Sequence, residues 1–165
     1  MPSQQELINR LCKNLAPGRL EWIGLRSARK GDVVSVAEVM AFQGLGLEGD
    51  HRTSKRPGSG RQVTITSSEF IGQIAGHLQR DTIDPALLRR NLVVSGLNLN
   101  ALRYQKIQIG DALLEAGALC HPCSRMEQAL GDGAIAAMLG YGGLCAKVIR
   151  GGRMQLGDPV SKLDD

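Results

Sequence analysis

The sequence predicts a mainly β fold with peripheral helices, an α+β arrangement closed or nearly closed into a small barrel. Three observations point there. Glycine occurs 21 times in 165 residues, well above the roughly 7% of an average protein, which signals many tight turns or close backbone approaches. Short runs with β-like patterning outnumber helical periods along the chain. Many short strands leave exposed edges unless the sheet closes on itself, so closure is the expected solution.

The elements follow in order. Leu7, Ile8, Leu11 and Leu15 recur at spacings of three and four, predicting an amphipathic helix over 4–15 that Pro17-Gly18 ends. Residues 1–18 are expected to pack as a helical flap. Runs from Arg19 to Ser27 and Val33 to Ala41, split by Lys30-Gly31-Asp32, predict a hairpin. Gln43 to Arg61 has five glycines, a cluster of basic residues and no hydrophobic period, and reads as a long basic loop of the kind that carries function. Gln62 to Thr66 alternates as a strand. Thr66-x-x-Glu69 is a capping box opening a helix that would bury Phe70, Ile71, Ile74, Ala75 and Leu78. Asp84-Pro85 starts a short helix, and Leu92-Val93-Val94 is a buried strand. A hairpin is expected from Ile107 to Ala116 about Gly110-Asp111. Cys120 ends a strand, and Ser124-x-x-Glu127 repeats the capping-box pattern with Ser124 as cap. Ala134 to Leu139 gives another helical turn, and Leu144 to Arg150 with Met154 to Leu156 suggests a last hairpin about Gly151-Gly152.

Length fits one domain over 1–165, since domains average roughly 100 to 200 residues. Apolar residues at 42% and charged residues at 22% exclude disorder and fibrous architectures. Aromatics at 3% leave few platforms for stacking bases, so no nucleic-acid partner is expected. The net charge of +4 suits a small anionic ligand. No apolar run approaches the roughly 18 residues of a membrane span, and the first residues lack a signal peptide's apolar core. A cytoplasmic protein without membrane contact is expected, with its four cysteines as reduced thiols.

Cys123 carries the most chemical information. Lying just ahead of a helix start, it would see unpaired backbone N–H groups, with Arg125 and His121 adding positive charge, and both favour thiolate over thiol. Such a sulfur can act as nucleophile or metal ligand; the alternative is an inert packed cysteine. Cys120-His121-Pro122-Cys123 also has the spacing of a redox pair or half a zinc site, but no second ligand pair is spaced to complete the latter. Arg89-Arg90-Asn91 precedes a buried strand, where a guanidinium fork could hold a phosphate or carboxylate; a solvated basic turn is the other reading. The run from Gly44 to His51 lacks the ending of a phosphate-binding P-loop.

Four blocks together resemble the MOSC family, the domain at the C-terminus of molybdenum cofactor sulfurases that also occurs as stand-alone bacterial proteins. They are Gly46-Leu47-Glu48-Gly49-Asp50-His51, Arg89 through Gly96, Ile109-Gly110-Asp111 ahead of Cys120 through Arg125, and Gln155 through Val160. The resemblance spans residues 30–162. It implies a β-barrel that binds the molybdenum cofactor, or handles sulfur destined for it, through a reactive cysteine. Residue by residue, Cys123 matches the cysteine of the P-C-x-[KR] motif as sulfur carrier or molybdenum ligand, with Arg125 beside it. Arg89 and Asn91 match an R-x-N pair facing the pterin phosphate, and His51 and Arg61 fall in the glycine-rich region contributing further cofactor contacts. The resemblance leaves open a sulfurtransferase role, a molybdenum-dependent reductase of N-hydroxylated compounds, and a non-catalytic cofactor-binding or docking module. With no pyridoxal-phosphate desulfurase domain in these 165 residues, a separate sulfur donor or an electron-transfer protein is the expected partner.

Overall fold

The computed structural model describes residues 1–164. Seven strands close into a barrel: β1 (Gly18–Arg26), β5 (Val63–Ser67), β6 (Leu92–Ser95), β7 (Lys106–Ile109), β8 (Ala112–Leu119), β9 (Leu144–Arg150) and β11 (Pro159–Lys162). Around the ring the order is β1-β11-β7-β8-β9-β5-β6, and β6 returns to β1. Only the β5–β6 neighbours in this ring are parallel. Closure leaves no open edge in the ring, as the many short strands require. Strand β2 (Val33–Ser35) pairs with the outer end of β1. A separate three-stranded sheet joins β3 (Glu38–Phe42), β4 (Gly46–Leu47) and β10 (Gly152–Gln155) in the order β10-β3-β4.

The alternation of β6 shows how two cores share one wall. Leu92 and Val94 point into the barrel beside Leu20, Ile65 and Leu114. Val93 points outward into a second apolar cluster built by the helices α2 (Ser68–His77), α3 (Ser124–Leu130) and α4 (Ala134–Met138). The predicted helical face is confirmed at Phe70, Ile71, Ile74 and Ala75, which are buried. These residues therefore fix the helices against one side of the barrel, where a loop-rich end is left open.

Several local expectations are corrected. The first helix, α1, covers Gln4–Leu11 and stops short of Leu15; none of its residues is buried, and Gln5 Nε2 ties it to the Arg103 carbonyl at 3.0 Å. The expected hairpin forms between β1 and β2, but the Val33–Ala41 run breaks after Ser35, and β3 joins the second sheet. Likewise β10 pairs with β3 and not with β9, because Gly152 lets the chain pass where a Cβ would lie 2.5 Å from the Asp111 carbonyl. The cap of α2 is not Thr66 but Ser67, the last residue of β5, whose Oγ accepts the Phe70 N–H at 3.0 Å. The cap of α3 is Cys123, with Ser124 as first helical residue. Glu127 is unavailable for a capping box there because its carboxylate accepts the Gly133 and Ile135 N–H groups at 3.1 and 2.8 Å. The basic loop is ordered around β4 and a 3-10 turn at His51–Ser54, with Asp50 as its cap.

Candidate functional site

At the open end, the outer end of β1, the His51–Ser54 turn, the Arg89–Asn91 approach to β6 and the Cys120–Arg125 segment enclose a cleft of about 360 Å³. Arginines dominate it. Arg26, Arg29, Arg52 and Arg61 line it along with Arg89, Arg90 and Arg125, and no Asp or Glu is among the lining residues. Cations gathered this closely repel one another unless an anion or a buried carboxylate offsets them.

One carboxylate does so from below. Asp50 is 2% exposed and accepts from Arg26 N at 2.8 Å, from Arg26 Nε and Nη2 at 3.2 Å each, and from the Arg52 N–H at 3.2 Å. Burial alone would raise its pKa, but the Arg26 hydrogen bonds and charge outweigh that and hold the carboxyl below its ordinary value. Asn91, expected to face the cofactor, instead lies fully buried under the floor. Its Nδ2 donates to the Gly24 carbonyl at 3.0 Å and to Asp50 at 3.1 Å, while its Oδ1 accepts from Arg26 Nη2 at 3.2 Å and the Thr64 N–H at 3.1 Å. With its donors and acceptor engaged inside the protein, Asn91 positions Arg26 rather than meeting a ligand.

Of the other expected residues, His51, Arg61, Arg89, Cys123 and Arg125 are brought together on the cleft. Arg89 takes a left-handed backbone, φ 56°, and its guanidinium donates to the Gly31 and Arg29 carbonyls at 2.6 and 3.1 Å. Arg125 also donates to the Arg29 carbonyl, at 3.2 Å. These two side chains fasten the β1–β2 loop over the cleft while lining it. His51 is held below the usual imidazole value by burial and then by the Arg26 charge, so it is neutral near pH 7 and can accept a hydrogen bond. Burial, then Arg26, also lowers the Arg52 and Arg89 guanidiniums, the mark of crowded cations. They remain charged.

Two nitrogens of the cleft-lining guanidiniums lack partners. Arg52 Nε and Arg90 Nη2 are buried without any hydrogen-bond partner, although Arg90 Nε and Nη1 are satisfied by the Gly142 and Leu88 carbonyls at 2.9 and 3.0 Å. An orphaned buried N–H on a cation is costly. Among the thiols, Cys123 is exposed at the rim, whereas Cys120 is buried at the floor just after β8, where Leu119 registers with Leu144, the residue before the buried Cys145 of β9. Among the described residues, no cluster of three or more His, Cys, Asp or Glu side chains forms a metal site, and no helix is long and apolar enough to cross a membrane.

Sequence reasoning did not find Arg26, Arg52 or the nearness of Cys120 to Cys145. Arg26 was detectable in principle, as a charge ending a strand beside the buried Ile23 and Gly24. Nothing in the sequence brings Cys145 near Cys120, because that depends on the β8–β9 register.

Fold and cleft together define a small closed β-barrel carrying a cationic, cysteine-bearing site at one end. Residues 51–161 match the MOSC domain, and the chain belongs to the MOSC domain family. Its fold is similar to that of the YuaD protein from Bacillus subtilis, with a TM-score of 0.74 at 21% identity over 88% of this chain and 94% of that one. It is also similar to YiiM from Escherichia coli (TM-score 0.67, 20% identity, 89% and 70% coverage) and YiiM from Geobacillus stearothermophilus (0.71, 17%, 89% and 75%). No curated protein matches the sequence. The family is associated with molybdenum cofactor binding.

Proposed function

We propose that this protein binds the molybdenum cofactor in the arginine-lined cleft and carries sulfur for it on Cys123. The observation that carries the reading is the pair of buried, partnerless guanidinium nitrogens, Arg52 Nε and Arg90 Nη2, in a cleft lined by no carboxylate. That donor set fits a phosphate-bearing pterin, since guanidinium forks recognise phosphate oxygens directly. Arg52 and Arg90 would hold the phosphate, with Arg61 at the mouth adding charge and His51 offering a neutral acceptor to the pterin's N–H groups. Bound there, the cofactor supplies a metal centre that can take a terminal sulfur.

The chain's own contribution is the thiol at the rim. Cys123 is exposed, so a donor protein bearing a persulfide can reach it. Its thiolate attacks the outer sulfur of that persulfide, the donor departs as a thiolate, and the sulfane sulfur remains on Cys123 as R–S–SH. Arg89 and Arg125 hold the loop that roofs the cleft and bring positive charge to the negative persulfide.

The test uses protein isolated from cells supplied with molybdate. Bound pterin is measured by fluorescence after oxidation, and sulfane sulfur by cyanolysis after treatment with a persulfide donor. Wild-type protein should retain both, and Cys123→Ser should retain pterin but lose the sulfane. Sulfane loading at the wild-type level in Cys123→Ser, or no pterin in the wild type, overturns the proposal.

A further inference from the structure

Beside the cleft lies a second hollow of about 540 Å³, against the side of β8 and β9 that faces away from the barrel core. Cys145 and Lys147 line it, alternating along β9 with Leu144, Ala146 and Val148, which belong to the core. Arg61 and His121, both exposed, face the hollow and the cleft alike and divide one from the other. Strand pairing explains why the space exists. Ala116 registers with Ala146 and Leu119 with Leu144, so Gly117 and Ala118 stand against Cys145 alone and the extra residue bulges β8. Neither has a side chain long enough to fill the space. Apart from its chain neighbours, a Cβ built on Gly117 would meet only the Cys145 carbonyl, at 3.8 Å, an ordinary contact.

Arg103 and Tyr104, in the turn before β7, supply the chemistry of the facing wall. The Arg103 guanidinium lies over the Tyr104 ring, its Cζ 4.9 Å from the centroid. Arg103 Nε is buried and has no hydrogen-bond partner. Tyr104 is 53% exposed on a left-handed backbone, φ 64°, which a bulky residue seldom adopts. One carboxylate, Glu115, lines the hollow, and it registers with Lys147 on the neighbouring strand. Neither Arg61 nor Arg103 forms an ion pair among the described residues.

We infer that this hollow is a second ligand subsite, which takes a flat ring bearing an anionic group, an aryl or heteroaryl carboxylate or phosphate. The anionic group meets the guanidiniums of Arg103 and Arg61, and the ring lies between Tyr104 and the bare surface at Gly117. A charged oxygen gives Arg103 Nε the acceptor that the protein does not. Flatness is selected because the stacked Arg103 and Tyr104 offer planar faces and the bulge opposite presents no side chain. The subsite is independent of sulfur carriage on Cys123, and neither Arg52 nor Arg90 lines it. Because Arg61 and His121 face both spaces, a ring held here lies next to whatever the cleft holds.

Benzoate, benzamide and cyclohexanecarboxylate are the probes, titrated into the full chain and followed by NMR at the Tyr104 ring. The chain has two tyrosines, so Tyr104→Phe assigns the signals. Benzoate should bind at least about tenfold tighter than benzamide, which lacks the charge, and at least about threefold tighter than cyclohexanecarboxylate, which lacks the flat ring. Gly117→Leu, which puts a side chain into the hollow, and Arg103→Met, which keeps the stem and removes the charge, should each weaken benzoate at least about fivefold. Inorganic phosphate, read at His51, which lines the cleft and not the hollow, should bind both variants within about twofold of the wild type. If Gly117→Leu disturbs the fold, Arg103→Met decides. No benzoate shift at Tyr104, equal affinity for benzoate and benzamide, or benzoate binding unchanged in Arg103→Met overturns the subsite. Benzoate lost in Arg52→Met but kept in Arg103→Met places the anion in the cleft and overturns it too. Benzoate binding as expected in a protein that retains no pterin leaves the subsite standing and overturns the cofactor reading alone.

Discussion

Asn91→Ala should destabilise this protein far more than an ordinary polar-to-alanine change, and the size follows from what the side chain holds. Its amide joins three separate pieces through four partners: β1 through the Gly24 carbonyl and the Arg26 guanidinium, β5 through the Thr64 N–H, and the Asp50 cap. Asp50 and Arg26 keep their own mutual bonds after truncation, so neither charge is abandoned. The Thr64 N–H and the Gly24 carbonyl lose this partner in a site with no solvent exposure. Each buried group left unsatisfied costs ~1–3 kcal/mol, so the loss should be about 2–5 kcal/mol, a large part of the roughly 5–15 kcal/mol that a domain possesses. Urea unfolding measures it: with a slope of about 2 kcal/mol/M, the midpoint should fall by roughly 1–2.5 M at unchanged slope. Asn91→Asp should fare no better, because it places a second carboxylate where Nδ2 now donates to Asp50 at 3.1 Å. A midpoint shift below about 0.3 M for the alanine variant would refute the description of Asn91 as the tie beneath the cleft.

Gly143 has φ +90°, and a Cβ there would lie 2.0 Å from the Ile65 carbonyl; Gly143→Ala should cost at least ~2 kcal/mol, lowering the calorimetric midpoint by about 4–8 °C, and an unchanged midpoint would contradict the close approach of β9 to β5. Because the Asp50 carboxyl is held below its ordinary value in the folded state, its ionisation adds stability above the unfolded value of about 3.9, and that stability is lost as pH falls through the lower folded value. Asp50→Asn should therefore be less stable at neutral pH and show a flatter acid limb in pH-dependent unfolding; a parallel limb would mean that Asp50 is not the group responsible. His51 should titrate below about 6.5 in NMR spectra and move upward when phosphate enters the cleft, since an added anion favours the imidazolium; a midpoint above 6.5 in the ligand-free protein would contradict the cation-crowded site. Phosphate binding itself should weaken as salt is raised, as titration at several ionic strengths would read.

What the sequence could and could not tell follows from which interactions are local. The helical face of Phe70, Ile71, Ile74 and Ala75 and the Ile107–Ala116 hairpin depend on spacing within a few residues, and both appear as expected. Pairings between distant segments were not legible: nothing in Met154–Leu156 distinguishes a hairpin partner in β9 from one in β3, and the choice falls to the packing of Gly152 against Asp111. The two caps, expected at Thr66 and Ser124, fall at Ser67 and Cys123, each one residue away, and at α3 the Glu127 carboxylate is held instead by Gly133 and Ile135.

The same division runs through the site. His51, Arg61, Arg89, Cys123 and Arg125 were named from motifs and do line one cleft, because each stands in a turn, at a helix start or just before a strand at the same end of the barrel. Asn91 belongs to the same motif as Arg89 but faces the opposite way. Arg89 leaves the 3-10 turn in a left-handed conformation, while Asn91 pairs with Thr64 as the chain enters β6. A motif preserves the chemical types needed around a ligand, but it does not separate the residue that touches the ligand from the one that orients the residue that does. Here that separation has energetic content: Arg26 reaches the cleft floor as a buried cation, which is tolerable only because Asp50 and Asn91 hold it from beneath. The cationic face is thus built on a neutralised foundation, and the cleft-lining guanidiniums of Arg52 and Arg90 each retain a buried N–H with no partner.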